Sequence, residues 1–215
     1  KLSDSLAPKF RYIDLYIFCI RRRRRSYLSS PFFCSMRIVS GIHKGFRFPK
    51  KNMPHARPTT DRAKESLFNI LDQKYYFEDI QVLDLYSGLG SMAFEFCSRG
   101  TTEITAVEWN AKSIGYIKEI ISKLGVKMVL KQNKVLKYLK KSEDSYDIIF
   151  ADPPYNAAQE IKELIDLLAS GQYLKPGGVF ILEHQTMAAI QHPAIIEKRE
   201  YGQSTFSFFK FEDKQ

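Results

Sequence analysis

Residues 146–155, with the sequence YDIIFADPPY, decide how this chain folds. Their first six residues form a short, continuous apolar run rich in branched and aromatic side chains, which is typical of a strand buried in a parallel sheet. Pro153 and Pro154 lack the N–H groups that a ladder needs and fix φ, so the strand ends in a stiff turn. The pattern places Asp152, unpaired backbone carbonyl groups and Tyr155 at the carboxyl end of a strand, where open α/β sheets bind ligands.

This set of groups suits chemistry on a planar exocyclic amine, whose nitrogen donates its lone pair into the ring and is a poor nucleophile. Asp152 and a neighbouring carbonyl group can accept the two N–H bonds and draw the nitrogen towards a tetrahedral geometry. Tyr155 can stack on the base, which contributes about 1–3 kcal/mol. The structural alternative is a plain strand-ending turn with a surface aspartate, and the glycine-rich loop upstream argues against it.

Strands and helices alternate on both sides of this stretch. Four more strands are predicted, at residues 82–86, 104–108, 127–130 and 179–183. A turn is expected at residues 175–178, and a final antiparallel strand pair at residues 195–198 and 205–211. The sequence therefore predicts an α/β, three-layer, Rossmann-like fold with a mainly parallel sheet, an antiparallel C-terminal strand pair and right-handed crossovers.

A glycine-rich loop follows the first predicted strand, where residues 84–91 read DLYSGLGS. Gly88 and Gly90 permit positive φ and a close approach of the backbone to a ligand. The loop follows a strand and precedes a helix, which is the context that nucleotide binding requires. Ala93 stands where a dinucleotide fingerprint has its third glycine, so this loop and the D-P-P-Y turn both argue against a dehydrogenase.

An acidic residue, Glu108, ends the second predicted strand, 18 residues after Gly90. An acid at this position can accept hydrogen bonds from both hydroxyl groups of a ribose. The alternative is a surface glutamate at a strand terminus. Because a doubly wound sheet usually places the first and fourth strands side by side, we expect the glycine loop and the D-P-P-Y turn to meet at the switch point.

Positive charge is concentrated before the α/β region. Residues 1–35 carry eight basic and two acidic side chains, residues 36–64 carry eight and one, and residues 65–215 carry 17 and 21, for a total of +9. A basic segment in front of a slightly acidic body indicates a polyanion partner, the alternative being a solvated charged face.

The three cysteines have no zinc-site spacing and fit a reducing compartment, and no cluster of side chains indicates a metal.

Two segments precede the predicted catalytic domain of residues 80–215. Residues 1–35 are expected to be a disordered extension outside the core, with Met36 as the natural start; the alternative is a nucleic-acid-binding arm that uses the five arginines at 21–25. Residues 36–79 predict a small basic β-hairpin and a helix capped by Thr59, Thr60 or Asp61, together forming an RNA-binding element.

The basic side chains expected to contact RNA are Arg37, Lys44, Arg47, Arg57 and Arg62. Arg57 and Arg62 flank a predicted helix N-terminus, whose free N–H groups attract phosphate. The alternative is that these arginines pair with Asp61 and with other local carboxylates.

From Met36 onward, the chain resembles the bacterial small-subunit rRNA guanine-N2 methyltransferases of the RsmD type. The matching stretches are MRIVSG at 36–41 followed by KG at 44–45, RPTTDR at 57–62 with ESLFN at 65–69, DLYSGLGS at 84–91, DPPY at 152–155 and YG at 201–202. The R-P-T-T-D-R block is the most specific of these, because general methyltransferases lack it.

The resemblance implies a class I methyltransferase fold, S-adenosyl-L-methionine as the donor, and the N2 amine of guanine 966 in 16S rRNA as the acceptor. It also implies that Asp152, Pro153, Pro154 and Tyr155 hold a target base that is extruded from its stack. The cofactor site that it implies consists of Asp84, Tyr86, Ser87, Gly88, Gly90, Glu108 and Asn133. Asn133 stands where the family often has a small acid that contacts adenine.

The expected partner is 16S rRNA within an assembling or assembled small ribosomal subunit, bound by a cytoplasmic monomer without a membrane partner. A DNA adenine-N6 or cytosine-N4 methyltransferase would use the same D-P-P-Y device, but residues 36–215 leave no room for the usual target-recognition domain. A non-catalytic RNA-binding module is a further alternative, against which the intact Asp152 and Glu108 argue.

Overall fold

The structure is a computed structural model, and it describes residues 36–49, 59–155 and 157–211. Within these ranges one sheet contains seven strands: β1 (Gln81–Leu85), β2 (Glu103–Glu108), β3 (Val129–Gln132), β4 (Tyr146–Ala151), β5 (Leu174–Gln185), β6 (Ile195–Tyr201) and β7 (Ser204–Phe209). Their order is β3-β2-β1-β4-β5-β7-β6, and β1 to β5 pair in parallel. β7 pairs antiparallel with both β5 and β6, so the predicted Rossmann-like sheet with an antiparallel C-terminal pair is confirmed.

The described ranges contain five α-helices, which connect these strands or precede them: α1 (Asp61–Asp72), α2 (Ser91–Ser98), α3 (Ala111–Leu124), α4 (Val135–Leu139) and α5 (Ala158–Ser170). Short 3₁₀ turns lie at Phe77–Asp79 and Thr186–Ala188. α1 begins after Thr60, whose side chain accepts a hydrogen bond from the Ala63 N–H, so Thr60 is the cap among the three candidates. Among the described residues, no helix combines the length and the apolar character that crossing a bilayer would need.

β4 is buried on both faces of the sheet, which explains its continuous apolar sequence. Ile148 and Phe150 pack on one face with α1 and α2, in a core that includes Phe68 and Phe96. Ile149 and Ala151 point to the opposite face and pack in the core that includes α4 and α5. Because successive side chains of a strand alternate between faces, both sets must be apolar in a three-layer fold.

The prediction of a turn at residues 175–178 is wrong, because these residues lie within β5. Tyr146 pairs with Leu174 and Ile148 with Val179, so β5 carries extra residues that bulge out of the ladder. A Cβ atom on Gly178 would lie 2.9 Å from the Lys175 carbonyl oxygen, so the bulge requires a glycine there. The Lys-Pro-Gly-Gly sequence that indicates a turn therefore indicates a bulge here. The third strand also lies two residues further along than the expected 127–130.

The N-terminal hairpin is shorter than a regular strand pair. Arg37 and Arg47 form one isolated antiparallel bridge, and the Ile38 N–H donates to the Phe46 carbonyl oxygen at 3.0 Å. The hairpin's apolar side chains pack against α2 and α3, in a core that contains Met36, Ile38, Phe48, Phe94, Tyr116 and Ile117. The predicted extension of residues 1–35 lies outside the described residues, and the functional division at residue 79 stays a prediction.

A buried carboxylate on α2 joins the hairpin to the body of the protein. Glu95 accepts hydrogen bonds from the backbone N–H groups of Val39 at 2.9 Å and Ser40 at 3.1 Å. Its side chain also lies 3.1 Å from the Arg99 Nε and 3.9 Å from the Nζ of the buried Lys64. One helix side chain thus holds both the hairpin and α1, and the basic N-terminal element has a fixed position on the sheet.

Candidate active site

The glycine loop and the D-P-P-Y turn lie next to each other, as the sequence predicts. Leu85 pairs with Ala151 at the carboxyl ends of β1 and β4, and the Asp152 N–H lies 3.5 Å from the Leu85 carbonyl oxygen. The sheet changes winding direction between these two strands, which is where doubly wound sheets bind ligands. Both loops therefore open on the same crevice.

Glu108 closes one side of this crevice at the end of β2. Its Oε2 accepts a hydrogen bond from the Gly88 N–H at 2.9 Å, and its Oε1 accepts one from the Asn110 N–H at 2.7 Å. Each carboxylate oxygen keeps a further lone pair, so Glu108 has the capacity for two more donors. The Asn133 N–H donates to the Glu108 carbonyl oxygen, which brings the third predicted cofactor segment to the same place.

Asp84 lies buried beneath the glycine loop. The Ser87 hydroxyl donates to Asp84 Oδ2 at 2.6 Å, and the Ser87 N–H donates to the Val107 carbonyl oxygen, so the loop is tied to β1 and β2. Burial raises the pKa of Asp84 to about 7, hydrogen bonds from Ser87 and Ala93 partly oppose this, and the charge of Glu108 adds to it. A positively charged ligand nearby would favour its carboxylate form.

Tyr86 connects the glycine loop to helix α5. Its φ is +57°, an uncommon conformation for a residue with a side chain, and such strain clusters at functional sites. The Tyr86 hydroxyl donates to Glu160 Oε1 on α5 at 2.8 Å. Burial and this carboxylate raise the pKa of Tyr86, so its hydroxyl stays protonated. The strained residue thus ties the glycine loop to the helix that follows the D-P-P-Y turn.

The D-P-P-Y turn presents a partly buried acid and an exposed ring. Pro153 is buried, Pro154 is exposed, and Tyr155 has 42% of its surface exposed. The Ala157 N–H donates to the Pro154 carbonyl oxygen at 3.0 Å, which closes the turn before α5. Burial raises the pKa of Asp152 well above its usual range, and the neighbouring charges of Glu183 and Asp84 add to this. Asp152 is therefore a more basic carboxylate than an exposed aspartate.

Several residues at the crevice were absent from the sequence-based site. Glu183 lies near the carboxyl end of β5, beside Asp152, and Thr59 donates to its Oε2 at 2.7 Å. Ser91 Oγ, after Gly90, is buried without a hydrogen-bond partner among the described residues. Trp109 follows Glu108, is 63% exposed and is the chain's only tryptophan. The position of this tryptophan, next to a predicted ribose-binding acid, was a signal available in the sequence.

The predicted RNA-contacting residues lie on the hairpin and at the start of α1. Arg37 forms an ion pair with Asp61 at 2.6 Å, so Asp61 pairs with the hairpin rather than with Arg62. Lys44, Arg47 and Arg62 are exposed. Arg57 lies outside the described residues.

The residues of the crevice fit S-adenosyl-L-methionine. Its ribose offers two hydroxyl donors to Glu108, and its sulfonium and amino groups carry positive charge beside the carboxyl groups of Asp84 and Asp152. The unpartnered Ser91 Oγ offers one more polar contact. The exposed indole of Trp109 offers a surface on which an adenine can stack.

This fold is that of the Rossmann-like methyltransferases. A putative methyltransferase, yhhF, from Escherichia coli has a similar structure, with a TM-score of 0.72 and 25% identity over 84% of this chain and 99% of that one. The ribosomal RNA small subunit methyltransferase D of Buchnera aphidicola subsp. Baizongia pistaciae is 34% identical over 152 residues, which are 70% of this chain and 76% of the relative.

The putative rRNA methyltransferase YlbH of Bacillus subtilis is 30% identical over 184 residues, covering 81% of this chain and 98% of the relative. The model of the family described as conserved hypothetical protein 95 matches residues 36–210. The chain belongs to this family, the RsmD family of methyltransferases, and the resemblance noted in the sequence is confirmed.

Proposed function

We propose that this protein transfers a methyl group from S-adenosyl-L-methionine to the exocyclic N2 amine of a guanine in the RNA of the small ribosomal subunit. The observation that carries the proposal is the Asp152–Tyr155 turn, which follows β4 and adjoins the glycine loop after β1. Relatives named as small-subunit rRNA methyltransferases support the choice of RNA. The family resemblance points to guanine 966 of 16S rRNA, in an assembling or assembled subunit in the cytoplasm, and to a monomeric enzyme.

In this proposal the crevice holds the donor through Glu108 and the loop at residues 84–91. Glu108 would accept hydrogen bonds from the two ribose hydroxyl groups, while the loop's backbone and Asp84 would hold the methionine part. Asn133 and Trp109 would contact the adenine. S-Adenosyl-L-methionine, when bound, supplies an electrophilic methyl group on a positively charged sulfur.

The D-P-P-Y turn would prepare the acceptor. Asp152 and a backbone carbonyl group of the turn accept hydrogen bonds from the guanine amine, which directs its lone pair away from the ring and towards the methyl group. Tyr155 stacks on the extruded base, and the two prolines keep these groups in a fixed geometry. Asp152 then takes the proton that the amine loses.

Replacing Glu108 by glutamine should weaken binding of the product S-adenosyl-L-homocysteine at least tenfold. The variant loses a charged acceptor, and each hydrogen bond to a charged group contributes about 1.5–3 kcal/mol. Titration with the product, followed through the fluorescence of Trp109, measures the affinity. Glu103→Gln, at the exposed start of the same strand, is the matched control and should bind normally. Equal affinities for the two variants would place the ribose contact elsewhere.

Charge reversal at Arg62 should weaken RNA binding and lower the salt dependence of the affinity by about one unit of slope. Arg62 is exposed in the first turn of α1, close to free backbone N–H groups that favour phosphate. Binding of a 16S rRNA fragment at several salt concentrations provides the slope.

Lys123→Glu is the control for this experiment. Lys123 is exposed near the C-terminus of α3, which lies towards the amino ends of the parallel strands and away from the crevice. An unchanged slope in the Arg62 variant would assign Arg62 to a solvated face.

The decisive experiment is transfer of a labelled methyl group from S-adenosyl-L-methionine to small subunits from cells that lack this activity, with the product nucleoside identified by mass. N2-methylguanosine in 16S rRNA is the expected product. Label on adenine N6 or on DNA would support methyl transfer as the reaction but would show that the proposed substrate is wrong. Cofactor binding without transfer to any nucleic acid would overturn the proposal.

A further inference from the structure

Glu183 is a buried carboxylate beside the proposed reaction centre that the mechanism above does not use. Only 2% of its surface is exposed, and it lies in the buried part of β5, near the carboxyl end of the strand. Ala151 and Leu182 are partners in the β4–β5 ladder, so Asp152 and Glu183 are the next residues on neighbouring strands. The two carboxyl groups therefore lie side by side at the carboxyl edge of the sheet.

Two hydroxyl groups hold Glu183 in place. Thr59 Oγ1 donates to its Oε2 at 2.7 Å, and the Ser204 hydroxyl at the start of β7 also donates to it. No described lysine, arginine or histidine forms an ion pair with Glu183. Burial raises the pKa of Glu183, whereas these two donors favour its charged form. Among the described residues, hydroxyl groups alone hold this carboxylate, and burying a charge without an opposite charge costs free energy, which argues for a use beyond packing.

We propose that Glu183 is a positioning residue for the methyl transfer described above: its carboxylate, held by Thr59 and Ser204, strengthens Asp152 as the acceptor of the amine proton. The inference rests on the proposed function for its chemistry. Its physical basis, the proximity of the buried Glu183 carboxyl group to the partly buried carboxyl group of Asp152, is independent of the substrate.

The proton has to leave because of how the bonds change. The amine lone pair forms the new N–C bond, the methyl–sulfur bond breaks, and its electron pair stays on sulfur as a neutral thioether. The nitrogen is left with a positive charge and two protons, one of which passes to the Asp152 carboxylate. A negative charge beside Asp152 makes it a stronger base and so favours this transfer.

The other charged groups near Asp152 act in the same direction or are already engaged. Asp84 faces it from the end of β1 and also raises the pKa of Asp152. Glu160 on α5 accepts the hydrogen bond of Tyr86. From the described residues of the N-terminal element, the facing group is Thr59, which is uncharged. Of these carboxyl groups, that of Glu183 is the one that accepts a hydrogen bond from the N-terminal element, through Thr59.

Thr59 connects this pair to the proposed RNA-binding element. It directly precedes Thr60, the cap of α1, and belongs to the R-P-T-T-D-R block. The segment that would bind rRNA phosphate therefore also contributes the hydrogen bond that favours the charged form of Glu183. This contact explains physically why a threonine at this position would matter to the reaction.

The test compares wild type with Glu183→Gln, in which the side chain keeps its size and loses its charge. The titration of Asp152 is followed by the ¹³C shift of its carboxyl carbon, assigned with Asp152→Asn, and single-turnover methyl transfer is measured from pH 5 to pH 9. Removing the neighbouring charge should lower the titration midpoint of Asp152 by about one pH unit or more. The acid limb of the rate profile should move to lower pH by a similar amount, and the maximal rate should fall about tenfold.

Further variants separate this role from a structural one. Thr59→Val should move the acid limb of the rate profile to lower pH by a smaller amount than Glu183→Gln does. Thr59→Ser, which keeps the hydroxyl group, should leave the limb at its wild-type position. Ser207→Ala, which removes a buried hydrogen bond to His184 on the same strand pair, should leave the limb in place. A slower Glu183→Gln enzyme with an unmoved limb and an unmoved Asp152 midpoint would overturn the proposal. Absence of transfer by wild type would refute the proposed function, while the ¹³C titration would still decide the inference.

Discussion

Replacing Asp152 by asparagine is expected to lower the rate of methyl transfer at least a hundredfold and to leave the affinity for S-adenosyl-L-homocysteine within about threefold of wild type. Asparagine keeps the shape of the side chain and one hydrogen-bond acceptor. It has no negative charge and cannot take up the amine proton, and a positioned base commonly contributes about 10²–10⁴ in rate. Single-turnover transfer to small-subunit RNA measures the rate, and Trp109 fluorescence measures the affinity.

Because wild-type Asp152 has a raised pKa, the effect of the substitution depends on pH. The carboxylate form is populated only as the pH rises through that pKa, so wild type should lose activity at acidic pH, while the residual rate of Asp152→Asn should not show this limb. Asp166→Asn, an exposed position on α5, is the control and should behave as wild type. If Asp152→Asn kept more than a tenth of the wild-type rate, Asp152 would not be the base that accepts the amine proton.

The parts of the fold that follow from local pattern were predictable. β4 is recognisable in the sequence because both of its faces are buried and two prolines follow it. α1 begins at one of the three candidate caps. The glycine loop and the D-P-P-Y turn were expected to meet because parallel strands place their carboxyl ends at one edge, and they follow adjacent strands.

The parts that depend on distant partners were not predictable. Nothing near Glu183 in the sequence indicates that Thr59, 124 residues away, donates to it. Glu95 likewise reads as a polar position on a short helix, and its partner Val39 is 56 residues away. The sequence Lys-Pro-Gly-Gly indicates a turn by local preference, but continued pairing with β4 makes it a bulge. In each case a contact between remote segments overrides or completes the local pattern.

Glu95 is the residue whose replacement should destabilise the protein most. Its fully buried carboxylate accepts hydrogen bonds from the Val39 and Ser40 N–H groups and faces the side chains of Lys64 and Arg99. Glu95→Gln removes the negative charge that faces the buried ammonium group of Lys64, and breaking a buried pair in this way costs about 3–5 kcal/mol. Urea unfolding should therefore show a loss of this size in the free energy of unfolding.

The matched control is Glu119→Gln on the neighbouring helix α3. Glu119 also forms an i, i+4 ion pair, with Lys123 at 2.8 Å, but both side chains are about half exposed, and such pairs contribute about 0.5 kcal/mol or less. Two helical ion pairs of the same spacing should thus differ severalfold in effect, because Glu95 is buried and has additional partners whereas Glu119 is about half exposed. Similar losses for the two variants would contradict this explanation.

A double variant shows where the energy resides. If the loss in Glu95→Gln comes from the charge of Lys64 that Glu95 no longer offsets, then adding Lys64→Met should recover part of the stability, because the buried ammonium group is gone. The remaining deficit would measure the hydrogen bonds that the carboxylate makes to the hairpin and to Arg99. Since those bonds fix residues 39 and 40 on α2, amide exchange in the hairpin should stay faster than in wild type even in the double variant. Recovery of both stability and hairpin protection would instead mean that packing alone holds the basic element on the sheet.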